Sequence, residues 1–420
     1  MNILLVTSAE PRQTPFFTAE KRPPLGVASL YAVLREAGHR VFFIDNYLRP
    51  TRFLEEGFLQ ENEINVVGIY TNTVCFRDSL RMMNSMEAMR KRGEWSGRII
   101  AGGPSASITP NRFPPFVDCI VQGEGERAIF TALQNNAPRI IRAERITDLD
   151  SLPRIPWDLF AGKPYDFGSP FSIKSPVFTM NTSRGCPFAC SFCSVGSMWG
   201  RKYSAFSARR VVDDIERLVS QHGARGIYFR EDNFTFNRKR ALEISRLLCE
   251  KKLDVKWACE SRVDSLDEEF LKRMYQAGLR GLYLGVESGV QRVLDFLNKG
   301  ITLEQTRRVF RWCREIGIKT AASLIVGVPT ETDDELEQTV RFSREIKPDI
   351  TWFSVFAGIP YSPLYRYAVE TGFFAYVDDR GIGYSRKHNE LAERFYGGKA
   401  ETAKVDLSEE QSVLRETCAG

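Results

Sequence analysis

Histidine is scarce in this chain: 420 residues contain only three, His39, His222 and His388, far apart in sequence. No short cysteine cluster can therefore complete a zinc site with a neighbouring histidine, and structural zinc takes four ligands. Long apolar runs are also missing, since no window approaches the roughly 18 residues a membrane helix needs. The opening Met-Asn-Ile-Leu-Leu-Val-Thr lacks the basic leader and long apolar stretch of a secretory signal, so the expectation is a soluble, cytoplasmic chain. Charge of one sign is not concentrated either. With 58 basic and 53 acidic residues spread along the chain, the net charge is +5 and no compact basic block marks a nucleic-acid surface. No Gly-x-Gly-x-x-Gly follows the first strand, which removes the ordinary dinucleotide fingerprint. No sequence repeat or low-complexity tract is present. The nine cysteines are odd in number, which argues against a disulfide framework. Cys75, Cys119, Cys249, Cys259, Cys313 and Cys418 are scattered and read as small buried hydrophobes.

Apolar residues make up 43% of the chain and charged residues 26%, ordinary for a globular protein, and the length suggests two or three domains. Residues 1–135 alternate short apolar strands with helices. The strands are Ile3–Val6, Val41–Ile44, Val66–Tyr70, Ile99–Ala101 and Cys119–Val121. The helices run over Val27–Ala37, which Gly38 stops, over Arg77–Arg92, and to Leu133. That pattern predicts an α/β fold, a doubly wound parallel sheet with helices on both faces and ligands at the strand carboxyl ends. Residues 136–175, rich in proline and turn formers with no clean period, read as a linker.

A second βα series follows over 176–365. Its strands are Val177–Asn181, Gly226–Arg230, Lys256–Cys259, Gly281–Gly285, Thr320–Val326 and Thr351–Phe356. Helices lie between them at Ser207–His222, Arg238–Lys252, Glu268–Ala277 and Leu303–Ile316. Gly278 and Gly317 stand at helix ends. Six βα repeats are too few for a closed eight-fold barrel, so a partial (βα)6 barrel with an open side is predicted. Residues 366–420 form a polar C-terminal extension whose last part, from Gly397, reads as a loose end.

The chemistry concentrates in Arg184-Gly185-Cys186-Pro187-Phe188-Ala189-Cys190-Ser191-Phe192-Cys193, a loop just past the first barrel strand. Thiolates hold iron–sulfur clusters, and three on one loop leave one iron of a cubane without a local protein ligand. An open iron can bind a substrate. Zinc and merely buried thiols are the other readings of the same residues.

Cys-x3-Cys-x2-Cys after a first strand, with Phe192 before the last cysteine, resembles the radical S-adenosylmethionine (SAM) superfamily. The resemblance implies a [4Fe–4S] cluster on Cys186, Cys190 and Cys193, with SAM chelated to the open iron and Phe192 beside it. It extends to each strand end. Tyr228–Thr235 resembles the second-strand acidic motif that holds the SAM amino group, implying Glu231 or Asp232, with Asp232 favoured. Trp257–Asp264 resembles the third-strand motif, where Ser261 and Arg262 would meet the ribose or carboxylate of SAM. Gly285–Gly289 resembles the fourth, with Glu287 as a SAM contact. Ile325–Pro329 resembles the strand flanking adenine, through Val326, and Gly358–Tyr365 closes the sixth. Singly, each has a structural explanation as a cap, turn former or surface charge; their joint order carries the reading.

The first domain resembles the cobalamin-binding domain that precedes the barrel in one large subclass. The matching residues are Pro24, Leu25 and Gly26; Gly102, Gly103 and Pro104; and Gly123, Glu124 and Gly125. Asp-x-His-x-x-Gly, the motif of proteins that ligate cobalt through histidine, is absent. The equivalent loop carries Thr71, Asn72 and Thr73, which implies base-off cobalamin with a weak or absent lower ligand. A domain that keeps the fold and binds nothing is the alternative.

The subclass implies a cobalamin-dependent methyltransferase acting on an unactivated carbon. One SAM methylates cobalamin, and a second yields the 5′-deoxyadenosyl radical that takes the substrate hydrogen. A low-potential donor, ferredoxin or flavodoxin, is implied. The compact layout resembles the enzyme that C-methylates a glutamine of methyl-coenzyme M reductase, so a protein or peptide substrate is expected. Tyr361 and Tyr365, with Arg386–Tyr396, are the candidate substrate contacts. The rival readings are cyclisation or rearrangement of a small molecule and a non-catalytic cobalamin or SAM sensor.

Overall fold

The computed structural model describes residues 1–8, 22–48, 57–163, 165, 171 and 173–397. They fall into two compact units, the first holding everything described up to Tyr165 and the second beginning with Phe171.

The first unit is built on six parallel strands. These are β1 (Asn2–Thr7), β2 (Arg40–Asp45), β3 (Val66–Tyr70), β4 (Arg98–Gly102), β5 (Cys119–Gln122) and β6 (Ile140–Arg142), in the order β2-β1-β3-β4-β5-β6. Residues Ile3 to Thr7 are all buried, as a central parallel strand covered on both faces requires. Helices α1 (Leu25–Glu36), α2 (Phe76–Lys91) and α3 (Gly125–Ala132) cover the sheet. Met82, Met83, Met86 and Met89 line the inner stripe of α2 and pack with Val67, Ile69 and Ile99. Strand order reverses between β1 and β3, which opens a crevice at their carboxyl ends.

β6 lies inside the segment read as linker. Three residues are too few to show a period, so only pairing reveals the strand: Ile141 sits opposite Val121 of β5. The chain after it remains part of the first unit, where the Tyr165 hydroxyl donates to Asp45 Oδ2 at 2.7 Å.

The second unit is the six-strand partial barrel. Strands β7 (Val177–Met180), β8 (Gly226–Phe229), β9 (Lys256–Ser261), β10 (Leu279–Glu287), β11 (Lys319–Val326) and β12 (Ile350–Val355) pair consecutively and in parallel. Among the described residues β7 and β12 do not pair, so the sheet is open along one side. Its helices start on local chemistry. Ser207 accepts from Arg210 N, and capping boxes form at Thr302–Gln305 and Thr332–Glu335. Gly278 and Gly317 have φ of +101° and +92°, the left-handed turns expected at helix ends.

The described part of the C-terminal extension is ordered into helices Pro363–Glu370 and His388–Tyr396. A small antiparallel sheet combines Ala357–Gly358, Gly383–Ser385 and Phe374–Val377. The expected loose end from Gly397 lies, apart from that glycine, outside the described residues. No described helix is long and apolar enough to cross a membrane.

Candidate active site

The cysteine loop leaves β7 through Thr182 and the short strand Ser183–Arg184, which pairs antiparallel with Ser204–Ala205 and closes the loop at its base. Gly185 follows with φ +84°, and a Cβ there would lie 2.1 Å from the Lys202 carbonyl oxygen. Only glycine makes that approach. The far side of the loop is pinned by backbone. Ser191 N donates to Leu297 O at 2.9 Å, Leu364 N donates to Ser191 O at 2.8 Å, and Asn298 Nδ2 donates to Ala189 O at 2.8 Å.

Cys186, Cys190 and Cys193 are free, half-buried thiols on this loop. Burial raises the Cys186 thiol and pushes Cys193 up to about 11, and Cys190 adds to both shifts by charge repulsion. Among the described residues no three His, Cys, Asp or Glu side chains are arranged around a single ion. Structural zinc takes four ligands converging on one ion, whereas in a cubane each thiolate binds a different iron, so three cysteines on one loop are the donor set of a cluster.

Of the strand-end residues, Glu231, Asp232 and Arg262 bond this loop or its base, and Glu287 is linked to it through Lys299. Glu231 is buried, and its carboxylate accepts from Thr182 Oγ1 at 2.8 Å and from the Ser183 hydroxyl. Arg240, also buried, donates to Thr182 O at 2.8 Å. Asp232 is exposed and accepts from Gly185 N at 2.9 Å, beside the cysteines. Asn233 next to it is fully buried, with its Nδ2 donor unpartnered. Ser261 is buried in a hydroxyl cluster with Thr235 and Ser265. Arg262 forks onto Asp264 through two 2.9 Å bonds, stacks on Phe188, and donates to Cys190 Sγ at 3.3 Å. Glu287 has φ +64° and a buried ion pair with Lys299 at 2.6 Å; Lys299 lies over the Phe192 ring. Val326 is buried at the end of β11. Asp232 and Arg262 thus both stand against the cysteine loop, one at Gly185 and the other at Cys190.

Asp264 lies within the third-strand motif, two residues after the Arg262 that it holds. Asn298, Lys299, Thr182 and Arg240 carry no mark in the sequence. Each bonds the cysteine loop, its base or a strand-end carboxylate from 12 or more residues away, so no local motif shows it. Only Asn298-Lys299-Gly300, a polar turn between two helices, offered a signal.

The substrate residues separate. Tyr361 is 52% exposed at φ +68°, its carbonyl accepting from Ser197 Oγ. Tyr365, by contrast, is buried with Val293, Leu297, Phe356 and Phe374, so its ring is core; the sequence pattern could not show that helix Pro363–Glu370 turns this face inward. Within Arg386–Tyr396, His388, Leu391 and Ala392 are buried, and the Tyr396 hydroxyl accepts from Val355 N.

In the first unit the expected cobalamin loops meet at the strand carboxyl ends. Thr71 Oγ1 donates to Gly102 O at 2.8 Å, Ser105 N donates to Thr71 O, and Gly123 N donates to Ser107 Oγ at 2.9 Å. Gly103, at φ +96°, could carry no Cβ, which would lie 2.7 Å from Thr71 O. Asn72 accepts from Cys75 N at the start of α2, and Thr73 is half-buried. Glu124 is turned inward onto Ile146 N and Arg145. Pro24 and Leu25 open α1 with Pro24 O accepting from Val27 N; Pro104 opens the helical turn 104–108, and Gly125 packs on Leu30. A Cβ added at Gly26 or Gly102 would meet nothing within 4 Å, and the buried Ser105 hydroxyl has no partner. Open space beside small residues and an unpartnered hydroxyl suit a bulky group.

Residues 180–343 match the radical SAM superfamily, and residues 19–133 match the B12-binding domain. An uncharacterised methyltransferase of Pyrococcus horikoshii is 30% identical over 88% of this chain and 83% of its own length. Anaerobic magnesium-protoporphyrin IX monomethyl ester cyclases of Cereibacter sphaeroides and Rubrivivax gelatinosus are 30% and 32% identical over 82% of this chain, which spans 60% and 66% of them. Among solved structures, the cobalamin-dependent SAM radical enzyme OxsB with aqua-cobalamin bound superposes with a TM-score of 0.75 at 18% identity, covering 91% of this chain and 64% of that one. The radical SAM methyltransferase TsrM from Kitasatospora setae gives 0.69 at 20% identity, covering 88% and 76%. At those identities the likeness is one of fold. The chain belongs to the radical SAM superfamily, in its cobalamin-dependent methyltransferase branch. Its cofactors are a [4Fe–4S] cluster, SAM and cobalamin.

Proposed function

We propose that this protein transfers a methyl group to an unactivated carbon, drawing its electron from a low-potential ferredoxin or flavodoxin. The observation that carries the reading is the loop of three half-buried cysteines with Asp232 and Arg262 against it, in a chain that also has a cobalamin domain. Cys186, Cys190 and Cys193 would hold the cluster. Asp232 would take the SAM amino group, while Glu231 keeps the loop's base in place. Gly26, Gly102 and Ser105 would receive cobalamin. When bound, the cluster and SAM supply a deoxyadenosyl radical, and cobalamin supplies the methyl group.

For the substrate, a protein or peptide carbon is the first reading. A second reading, a small-molecule carbon, is favoured by other relatives, among them a cytidylyl-2-hydroxyethylphosphonate methyltransferase and a hopanoid C-2 methylase. The cyclases keep ring closure in view.

The test is anaerobic reconstitution with cobalamin, SAM and a strong reductant. Base-off cobalamin, 5′-deoxyadenosine and S-adenosylhomocysteine together support the methyltransferase. A product that gains no methyl group but loses hydrogen would replace it with cyclisation. Bound cofactors without deoxyadenosine would replace it with a sensor.

A further inference from the structure

Arg262 is 7% exposed and is held on four sides. Nε and Nη2 fork onto Asp264 at 2.9 Å each, and Nη2 also donates to Lys299 O. The guanidinium lies 3.9 Å from the Phe188 ring centroid, and Nη1 donates to Cys190 Sγ at 3.3 Å. Four of the five guanidinium N–H donors are thereby used inside the fold. The one on Cys190 points at a cysteine that the family assignment makes a cluster ligand. An arginine placed only to bind a SAM carboxylate would keep its planar fork for that carboxylate. Here the fork is on Asp264, and its other edge faces sulfur.

We infer that Arg262 is a positioning residue that sets the reduction potential of the cluster through its N–H···S bond to Cys190, with Asp264 moderating its charge. The inference rests on the cysteine triad holding the cluster. Reduction adds one electron, from the low-potential donor, and one negative charge to the cluster. A cationic donor on a ligand sulfur stabilises that added charge and raises the potential. Phe188, two residues before Cys190 on the same loop, packs against the guanidinium.

The experiment is a redox titration of the reconstituted full-length chain, followed by electron paramagnetic resonance of the reduced cluster, with iron and sulfide content measured in parallel. Arg262→Gln is expected to shift the midpoint negative. At the potential where the wild type is half reduced, the variant's reduced-to-oxidised ratio should fall about tenfold, about 59 mV for one electron. Asp264→Asn keeps the guanidinium and removes its counter-charge, so its midpoint should move positive. A clamp that only holds the loop would shift both variants in one direction or neither, and either result overturns the inference. If Arg262→Gln takes up no cluster, Asp264→Asn decides alone: a positive shift supports the inference, and no shift or a negative one overturns it. A wild-type chain that takes up no [4Fe–4S] cluster would instead remove the cluster reading itself.

Discussion

At the scale of single residues, two adjacent carboxylates have different work. Glu231 is enclosed by Thr182 and Ser183, with Arg240 on the same threonine, while Asp232 stands exposed against Gly185. Removing a partner from a buried hydrogen-bonded group leaves the others unsatisfied, at about 1–3 kcal/mol. Glu231→Ala is expected to lower unfolding stability by that order, read from urea melts. Asp232→Asn should leave the urea midpoint near wild type and weaken SAM binding several-fold, read by calorimetry on the reconstituted protein. Equal stability losses in the two variants would erase the distinction. Replacing Cys186, Cys190 or Cys193 by alanine should remove the cluster's visible absorbance and with it deoxyadenosine formation.

Elements carry the next level, because loops at strand ends hold the site in place. Gly185 sits where the chain crosses the Lys202 carbonyl, so Gly185→Ala combines a positive φ with a backbone clash. It should cost more than about 1 kcal/mol and reduce cluster uptake. Gly102 is the opposite case, since a Cβ there meets nothing. Gly102→Phe should leave the melting temperature almost unchanged and abolish cobalamin uptake, seen in the visible spectrum after desalting. The loop after β11 gives a pH signature. Burial raises the Glu331 carboxyl to about 7, although it accepts from Gly327 N. Between the ordinary carboxylate range and about 7 the folded chain keeps a proton that the unfolded chain has lost. This group's contribution to stability therefore falls as pH rises through that window. The urea midpoint of Glu331→Gln, compared with wild type from about pH 5 to about pH 7, should fall less. Glu335 runs the other way. The Arg292 hydrogen bond holds it down to about 2, so its contribution is present above the ordinary carboxylate range and is lost as acid is added toward about 2.

For the whole molecule, two units bring two cofactor chemistries into one chain. Cys190→Ala should still bind base-off cobalamin while making no deoxyadenosine. Gly102→Phe should make deoxyadenosine and no methylated product. This reciprocal pattern, read by product mass spectrometry, would show that both halves serve one reaction. If Gly102→Phe still methylates, cobalamin has no part in the transfer.

Much of this was written in the chain locally. Short apolar runs and helix-ending glycines marked both βα series, and three closely spaced cysteines marked the cluster loop, because those signals need only neighbours in sequence. β6 escaped, since a three-residue strand is recognisable only by its partner. Tyr365 escaped too, because burial of a helix face depends on what packs there. The division between Glu231 and Asp232, the Lys299–Glu287 pair and the reach of Arg262 to Cys190 were decided by tertiary structure alone. Sequence names which groups exist and how far apart they lie along the chain, whereas hydrogen bonds and desolvation depend on distances in space that only the folded backbone sets.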